Sequence, residues 1–465
     1  MAVTSSVTLP AAGDQGELRR FRDDFYDCLS AWPDALFELL DAVCNPLAVA
    51  GIAHLSLAAT ARRGHGSAYA AIAKGDLDPD QIRDLLAAAR PPGWAPTFAV
   101  DATTWARCDA ECSPGRGFYY HPSRHSAGKP IVAGWCYSWL VGLSDIPDSW
   151  TAPCDARRAG VGENLNTVAV QQIRSVLPRL GSTGVPALFA FDGGYDPVQL
   201  SVGLSGVASG ADAQIVVRIK SDRKFFTRPA PRRPGTGGRP RLHGDRFSCK
   251  DPATWPTPDA TLSCRDDTYG RVDVKAWHNL HPHQRTYREP GGAMTIVEAT
   301  IIRVQVSRLP GRRHRTPKTL WLWWHGPTPD ALDLHRVWRA YLRRFDIEHT
   351  IKFAKKTLGW TTPKIRSPEQ ADRWTWLILA ALTQLRLARD HVTDHRLPWQ
   401  PPLPAAKMTP GRVRAGFAHL LPRLGTPATW PKPSRPGPGR PKGRKSTPAP
   451  RHPALKKIQV KTPAR

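Results

Sequence analysis

The sequence predicts a mixed α/β fold built on one sheet and preceded by helices. Two apolar runs that each end in an acid, at residues 97–101 and 186–192, have the length and composition of buried strands. Strand-like and helix-like patterns alternate after residue 97, which is typical of an α/β core. Before that residue, apolar side chains recur at helical spacing only.

Residues 1–92 are predicted to form a helical domain. One apolar stripe runs from Leu18 to Leu29, and others cover residues 35–43 and 81–89. The first 90 residues contain twelve acids and eight Lys or Arg, which argues against strong phosphate binding. A local DNA-reading face and a role in packing or dimerisation therefore both stay open.

Residues 93–220 are predicted to form the first part of the sheet core. Strands are expected at 97–101, 117–121, 131–143, 186–192 and 214–219, with helices at 164–180 and 197–204. The predicted order is three strands, a helix, a strand, a helix and a strand, with the first two strands antiparallel. This is the order of a ribonuclease-H-like core.

The remaining chain is predicted to form an insertion, the rest of the core and a tail. Residues 221–295 are rich in turns and short strands and are assigned to a β-rich insertion. Residues 296–397 return to core strands and helices, and residues 398–465 form a Pro/Arg-rich basic tail. From Pro431 onward the chain has eleven Lys or Arg and no acid, which predicts disorder.

Charge and composition indicate a polyanionic partner. The 465 residues have a net charge of +27 and a pI of about 10.3. This excess favours nucleic acid, although an anionic membrane surface would also attract it. No apolar run is long enough to span a membrane, and the first residues lack a signal-peptide pattern. Eight cysteines without paired zinc spacing predict free thiols in a reducing cytoplasm.

Three carboxylates are candidates for a metal-dependent site. Asp101 and Asp192 each end an apolar strand, at the sheet edge where ligands bind, and Glu348 lies on a later predicted helix. Three such oxygen ligands suit two Mg²⁺ or Mn²⁺ ions, which can activate a water or a 3′-hydroxyl for in-line attack at phosphorus. The alternative is that each aspartate caps a turn or a helix.

The stretch from Tyr341 to Lys355 is predicted to be one amphipathic helix that begins near Thr328. At about 100° per residue, Tyr341, Arg344, Glu348 and Lys355 fall within a sector of roughly 60°. A carboxylate flanked by cations suits a group that holds a metal ion while its neighbours bind phosphates. The alternative is a solvated face with an ordinary Arg344–Glu348 pair.

The spacing of these four residues is similar to the YREK signature of a large group of bacterial DDE transposases. Tyr341, Arg344, Glu348 and Lys355 match all four of its positions. The resemblance implies that Arg344 and Lys355 bind DNA phosphates. It also implies that Tyr341 packs against or hydrogen-bonds to the DNA backbone near the cleaved bond.

The resemblance extends to the two aspartates and to nearly the whole chain. Asp101 in Val-Asp-Ala-Thr-Thr and Asp192 in Phe-Asp-Gly-Gly-Tyr-Asp resemble the family's first two acids. With Glu348, the resemblance implies, they hold two Mg²⁺ or Mn²⁺ ions.

Three further residues are weaker candidates for DNA binding. Trp323 resembles a family tryptophan that stacks on a base flipped out near the cut, although core packing would also explain it. Arg440 and Arg444 lie in a Pro/Gly/Arg sequence that resembles a minor-groove hook. A non-specific phosphate-binding tail explains these two arginines almost as well.

The function implied by the resemblance is that of an insertion-sequence DDE transposase. Such a protein binds the terminal inverted repeats in double-stranded DNA as a homodimer, cleaves the ends, and joins each 3′-hydroxyl to target DNA by two-metal phosphoryl transfer. We expect it in the cytoplasm, at the nucleoid and not at a membrane. The alternatives are a structure-specific nuclease on the same core and a catalytically silent DNA-binding protein derived from a transposase.

Overall fold

The computed structural model describes residues 15–120, 130–181, 184–205, 213–231, 235, 237–238, 241–283, 296–310, 316–433, 439, 441–443, 445 and 447–456. Its α-helices are α1 (Gly16–Asp27), α2 (Pro33–Cys44), α3 (Ile52–Leu55), α4 (His65–Lys74), α5 (Pro79–Ala88), α6 (Leu165–Val176), α7 (Pro197–Leu204), α8 (Leu334–Arg343), α9 (Asp346–Lys356), α10 (Pro368–Leu387) and α11 (Pro410–Leu424). Its strands are β1 (Thr97–Ala106), β2 (Gly117–Tyr120), β3 (Ile131–Leu143), β4 (Thr151–Ala159), β5 (Ala187–Phe191), β6 (Ala213–Ile219), β7 (Lys224–Phe226), β8 (Arg246–Ser248), β9 (Ala260–Asp266), β10 (Gly270–Pro282), β11 (Ala299–Val306) and β12 (Leu320–His325).

The first half of the sheet has the strand order β4-β3-β1-β5-β6. β1 is antiparallel to β3 and parallel to β5, and β5 is parallel to β6. Parallel neighbours need a crossover, and α6 and α7 lie on the connections that lead to β5 and β6. The predicted ribonuclease-H-like core is therefore confirmed.

Two details of the predicted core are wrong. The antiparallel partner of β1 is β3, because the short strand β2 pairs only with the beginning of β3. The sequence reading also missed β4, whose composition is too polar for an obvious strand. Its Asp155 is fully buried because Arg83 and Gln172 hydrogen-bond to its carboxylate, at 3.0 Å each.

The insertion extends the core sheet instead of forming a separate unit. β12 pairs with β6, β11 with β12, and β10 with β11, all antiparallel. The predicted return to the core at residue 296 is therefore wrong, since β11 and β12 belong to this extension. Their apolar composition reflects burial under α8, where Ile302, Leu322 and Trp338 share one apolar cluster.

The N-terminal helices share their apolar core with the sheet and with α10. A single cluster includes Phe25 of α1, Leu39 of α2, Trp105 of β1 and Trp374 of α10. The predicted helices are present, and their buried faces pack on later parts of the chain. The first segment is therefore not an independently packed domain.

The C-terminal segment predicted as a tail from residue 398 contains an ordered helix. Val413, Phe417 and Leu420 of α11 are buried in the same cluster as α10. The prediction of a tail was wrong here because the high Pro and Arg content hid an apolar stripe at helical spacing. Residues 447–456 also contact the core, where the Leu455 amide donates to the Arg116 carbonyl at 2.7 Å.

No helix within the described residues combines the length and apolarity needed to cross a membrane. All eight cysteines lie in the described ranges and are free thiols.

Candidate active site

The stretch predicted as one amphipathic helix consists of two helices that meet at Arg344 and Phe345. α8 begins after Asp333, whose carboxylate accepts a hydrogen bond from the Arg336 amide at 3.1 Å, so the predicted start near Thr328 is wrong. At the junction, the amides of residues 347 and 348 donate to carbonyls only three residues back. This tighter winding interrupts the regular 100° rotation, although Arg344 and Glu348 still lie side by side across the junction.

The two aspartates lie on neighbouring strands of the sheet. Val100 of β1 pairs with Phe191 of β5, so Asp101 and Asp192 each follow one member of a paired position. Asp101 does not end its strand as predicted, because β1 continues beside β3 as far as Ala106. Asp192 does follow the end of β5, and its Oδ1 accepts a hydrogen bond from the Gly194 amide at 2.9 Å.

The structure brings the three candidate carboxylates into one electrostatic neighbourhood. Burial raises the pKa of Asp101 to about 6; Arg344 opposes this rise, while Asp192 and Glu348 add to it. The Arg344 guanidinium joins two of the acids: Nη2 lies 2.9 Å from Glu348 Oε1, and Nη1 lies 3.6 Å from Asp101 Oδ2. The i,i+4 pair expected as an alternative is therefore present, but it faces the acidic cluster.

The donor set suits a hard divalent cation in its chemistry. Carboxylate oxygens are the ligands that Mg²⁺ prefers. A bound cation would relieve the repulsion from Asp192 and Glu348, which adds to the effect of burial on the Asp101 pKa. The side chains are not arranged as a metal centre, however. Within the described ranges, no three His, Cys, Asp or Glu side chains are grouped so that they could hold a metal ion.

Lys355 contacts β1 and not the acidic cluster. Its Nζ donates to Thr103 Oγ1 at 2.6 Å and to the Thr104 carbonyl at 2.9 Å, and it lies 5.7 Å from the centre of the Trp360 ring. Burial lowers the pKa of Lys355 to about 8. These contacts make Lys355 an anchor between α9 and β1, and Asp101 is one of the groups that act on its charge. Its phosphate-binding role stays a prediction.

Tyr341 is buried against the sheet, with 8% of its surface exposed. Burial raises its pKa, and the charged groups around it are Arg344, Arg218 and Asp192. Tyr341 therefore lies beside Arg344, and its predicted contact with the DNA backbone stays a prediction.

The remaining predicted DNA contacts are not at this site. Trp323 is fully buried, and its Nε1 donates to Ser201 Oγ at 3.1 Å, so it is a core residue and the predicted base stacking is wrong. Arg440 and Arg444 lie outside the described residues.

Two residues near the acids were missed by the sequence reading. Arg218 is an exposed cation in the otherwise buried strand β6, and this break in its pattern was the available signal. Tyr195 is buried beside Asp101 and Asp192, and burial raises its pKa. Tyr195 lies in the Phe-Asp-Gly-Gly-Tyr-Asp sequence around Asp192, but its aromatic character alone gave no indication of its position.

Fold and site together define a ribonuclease-H-like protein with an acidic cluster where β1 and β5 meet. The chain belongs to the DDE superfamily endonuclease family, whose sequence model matches residues 24–283. That match includes Asp101 and Asp192 and ends before Glu348.

Comparison with solved structures adds only weak structural similarity. The fold resembles the piggyBac transposase in a cryo-EM synaptic complex with hairpin DNA, with a TM-score of 0.38 and 11% sequence identity. The similarity covers 85% of this chain and 74% of that one. A similarity of this size does not by itself establish a shared function. No curated protein matches the sequence.

Proposed function

We propose that this endonuclease-family protein is a DDE transposase that cleaves the ends of an insertion sequence and joins the 3′-hydroxyl to target DNA. The observation that carries the proposal is that Asp101 and Glu348 flank Arg344, with Asp192 near Asp101, at one edge of a ribonuclease-H-like sheet. The net charge of +27 supports a polyanionic substrate. The YREK spacing supports a bacterial insertion-sequence origin.

The three carboxylates would hold two Mg²⁺ or Mn²⁺ ions. When bound, such ions supply an activated oxygen nucleophile and charge stabilisation at the phosphorus that is attacked. Asp101 and Asp192 are positioned by paired parallel strands, while Glu348 is positioned by a helix. Two of the three ligands are thus fixed by the backbone of the sheet before DNA binds.

Arg344 is the residue of this chain best placed to contact the scissile phosphate. Its Nη1 is buried and has no hydrogen-bond partner within the described residues, which favours an acceptor supplied by a ligand. Nη2 keeps Glu348 oriented in the same contact. A phosphate oxygen at Nη1 would lie beside Asp101 and Glu348, as alignment for in-line attack requires.

Double-stranded DNA bearing terminal inverted repeats, and target DNA, are the proposed partners. A homodimer on DNA would bind both ends of the element together, at the nucleoid in the cytoplasm. A structure-specific nuclease would cut without joining, and a silent DNA-binding protein would do neither. The ion pair between Arg344 and Glu348 is the observation that favours the silent DNA-binding protein.

The proposal is tested with a labelled duplex that carries the element's end and its flanking DNA. Cleavage with Mg²⁺ or Mn²⁺ should leave a 3′-hydroxyl end, which should then appear joined to a supercoiled plasmid. Glu348→Gln keeps the size of the side chain but removes its charge, so cleavage should be lost while binding of the duplex stays near normal. Cutting without joining would favour the nuclease, and binding without metal-dependent cutting by the native protein would favour the silent protein.

A further inference from the structure

One face of the insertion sheet carries an unusual set of polar side chains. Cross-strand partners point to the same side of a sheet, and the pairing of β9, β10 and β11 places alternate residues together. This surface, called the insertion face, comprises Thr261, Ser263, Arg265, Arg271, Asp273, Lys275, Arg303 and Gln305. It holds four cations and one acid.

Like charges face each other directly at two positions of the insertion face. Lys275 of β10 is paired with Arg303 of β11, and Arg271 of β10 is paired with Arg265 of β9. Directly opposed side chains lie about 5 Å apart at Cβ, and like charges at that distance destabilise a sheet. The sequence therefore places repulsion where one neutral residue in each pair would remove it.

Neighbouring carboxylates do not neutralise these cations. Asp266 and Asp251, two nearby acids, form ion pairs with Arg339 and Arg246 instead. Within the described part of the chain, none of the four cations has an ion-pair partner. Asp273, the acid on the insertion face, accepts a hydrogen bond from Ser263 at 3.1 Å.

Packing does not require the charged pairs either. On the opposite side of the sheet, Val272, Val274 and Val304 are buried against α8. On the side of the insertion face, the buried residues Trp277 and Ile301 belong to another apolar cluster, beyond the charged pairs. Arg303 is the one cation with an aromatic contact, 5.1 Å from the centre of the Trp255 ring. Arg265 and Arg271 are exposed to solvent. A local rule is thus broken on a surface with no evident structural gain, which is typical of functional sites.

The insertion face lies on the side of the sheet away from α8, whereas Tyr341 and the charged groups around it lie on the α8 side. Ile219 of β6 pairs with Trp321, Trp321 with Arg303, and Arg303 with Lys275, so these residues form one row across the sheet. Phe191, which precedes Asp192, pairs with Val217 of β6, two residues before Ile219. From Lys275 the face continues for about 13 Å along β10 to Arg271, away from the core.

We propose that the insertion face binds the phosphate backbone of duplex DNA. This inference rests on the proposed function, because it takes DNA as the substrate. Phosphates between the opposed cations relieve their repulsion, and Thr261 and Gln305 offer additional hydrogen-bond donors. The contacts read no bases, so the binding is independent of sequence.

The test compares two double variants that each remove two cations from the insertion. Arg271→Thr with Lys275→Thr leaves one cation in each opposed pair. The matched control is Arg228→Thr with Arg246→Thr, because both arginines are exposed and already paired with carboxylates. Affinity for a fluorescent duplex of about 30 base pairs is measured between about 50 and 200 mM NaCl, together with the thermal midpoint of each free protein.

For the face variant, the slope of log affinity against log salt should be flatter by about 1.8, since each phosphate contact contributes about 0.9. Between about 50 and 200 mM NaCl, the factor by which its affinity falls should therefore be about ten times smaller than for the native protein. Its thermal midpoint should rise, because the repulsion is gone, and the control should show neither change. A face variant with the same slope as the control overturns the inference.

Cleavage separates this inference from the proposed function. Both variants keep Asp101, Asp192 and Glu348, so at saturating DNA and low salt they should cleave as the native protein does. Unchanged slopes with cleavage that depends on Glu348 would overturn the insertion face alone. A flattened slope in a protein that never cleaves would overturn the proposed function and leave the insertion face as a DNA-binding surface.

Discussion

Replacing Lys355 by methionine tests whether this lysine anchors α9 to β1. Methionine keeps the length of the side chain but removes the charge and the two hydrogen bonds to Thr103 and Thr104. In the unfolded chain the pKa of Lys355 is the ordinary 10.5, and in the folded protein burial lowers it to about 8. The folded state therefore binds fewer protons than the unfolded state between these two values, and the free energy of unfolding must rise with pH across that window.

The size of this pH dependence follows from the same two pKa values. Near pH 7 the buried charge of Lys355 disfavours the native state by about 3 kcal/mol, and near pH 9.5 by about 1.4 kcal/mol. The native protein should thus gain about 2 kcal/mol over this range that Lys355→Met does not gain. Urea unfolding of both proteins at several pH values measures the difference, and other titrating groups cancel because both proteins share them.

Lys352→Met is the matched control, because Lys352 is exposed on the same helix. Its unfolding free energy should parallel that of the native protein at every pH. DNA affinity of Lys355→Met should stay within about twofold of native, since no phosphate contact is lost. A pH-independent difference between the native protein and Lys355→Met, or a large loss of DNA affinity, would refute the anchoring role.

Three further predictions concern the site, the core and the C-terminal segment. Arg344→Ala should slow cleavage at least tenfold by releasing the phosphate and Glu348, while changing the free energy of unfolding by only about 1 kcal/mol; single-turnover cleavage and urea unfolding measure the two effects. Trp323→Ala should cost about 3–5 kcal/mol in urea unfolding and leave the DNA affinity of the folded protein unchanged, so a selective loss of DNA binding would restore the stacking role. Truncation after residue 397 should unfold the protein because it removes α11, whereas truncation after residue 433 should preserve the melting transition seen by circular dichroism.

The core of the fold was predictable because its signals are local. β1 and β5 are continuous apolar runs, and parallel strands buried on both faces have that composition. Placing Asp101 and Asp192 next to each other also followed from the strand pattern, since both acids follow residues that pair in the sheet. β4 was missed because its polar residues are buried only through partners far away in the sequence, such as Arg83 for Asp155.

The contacts of Lys355 were not predictable from helical spacing alone. A constant 100° per residue assumes an uninterrupted helix, and the junction at Arg344 and Phe345 breaks that assumption. Lys355 turns toward β1 because two acceptors in residues 103 and 104 are available there, and those acceptors are set by the sheet. Burial of Trp323 likewise depends on α7, which supplies Ser201.

The shared core around α10 sets the order in which a newly made chain can fold. Arg22 of α1 donates to Gln384 of α10 at 2.9 Å, across 362 residues of sequence, and Trp105 of β1 packs against Trp360. On the ribosome, the strand that carries Asp101 therefore waits for its packing partners until almost the entire protein has been synthesised. Prematurely terminated fragments would contain both aspartates without the helices that cover them. Assembly of the packing around Asp101 thus depends on synthesis of α10.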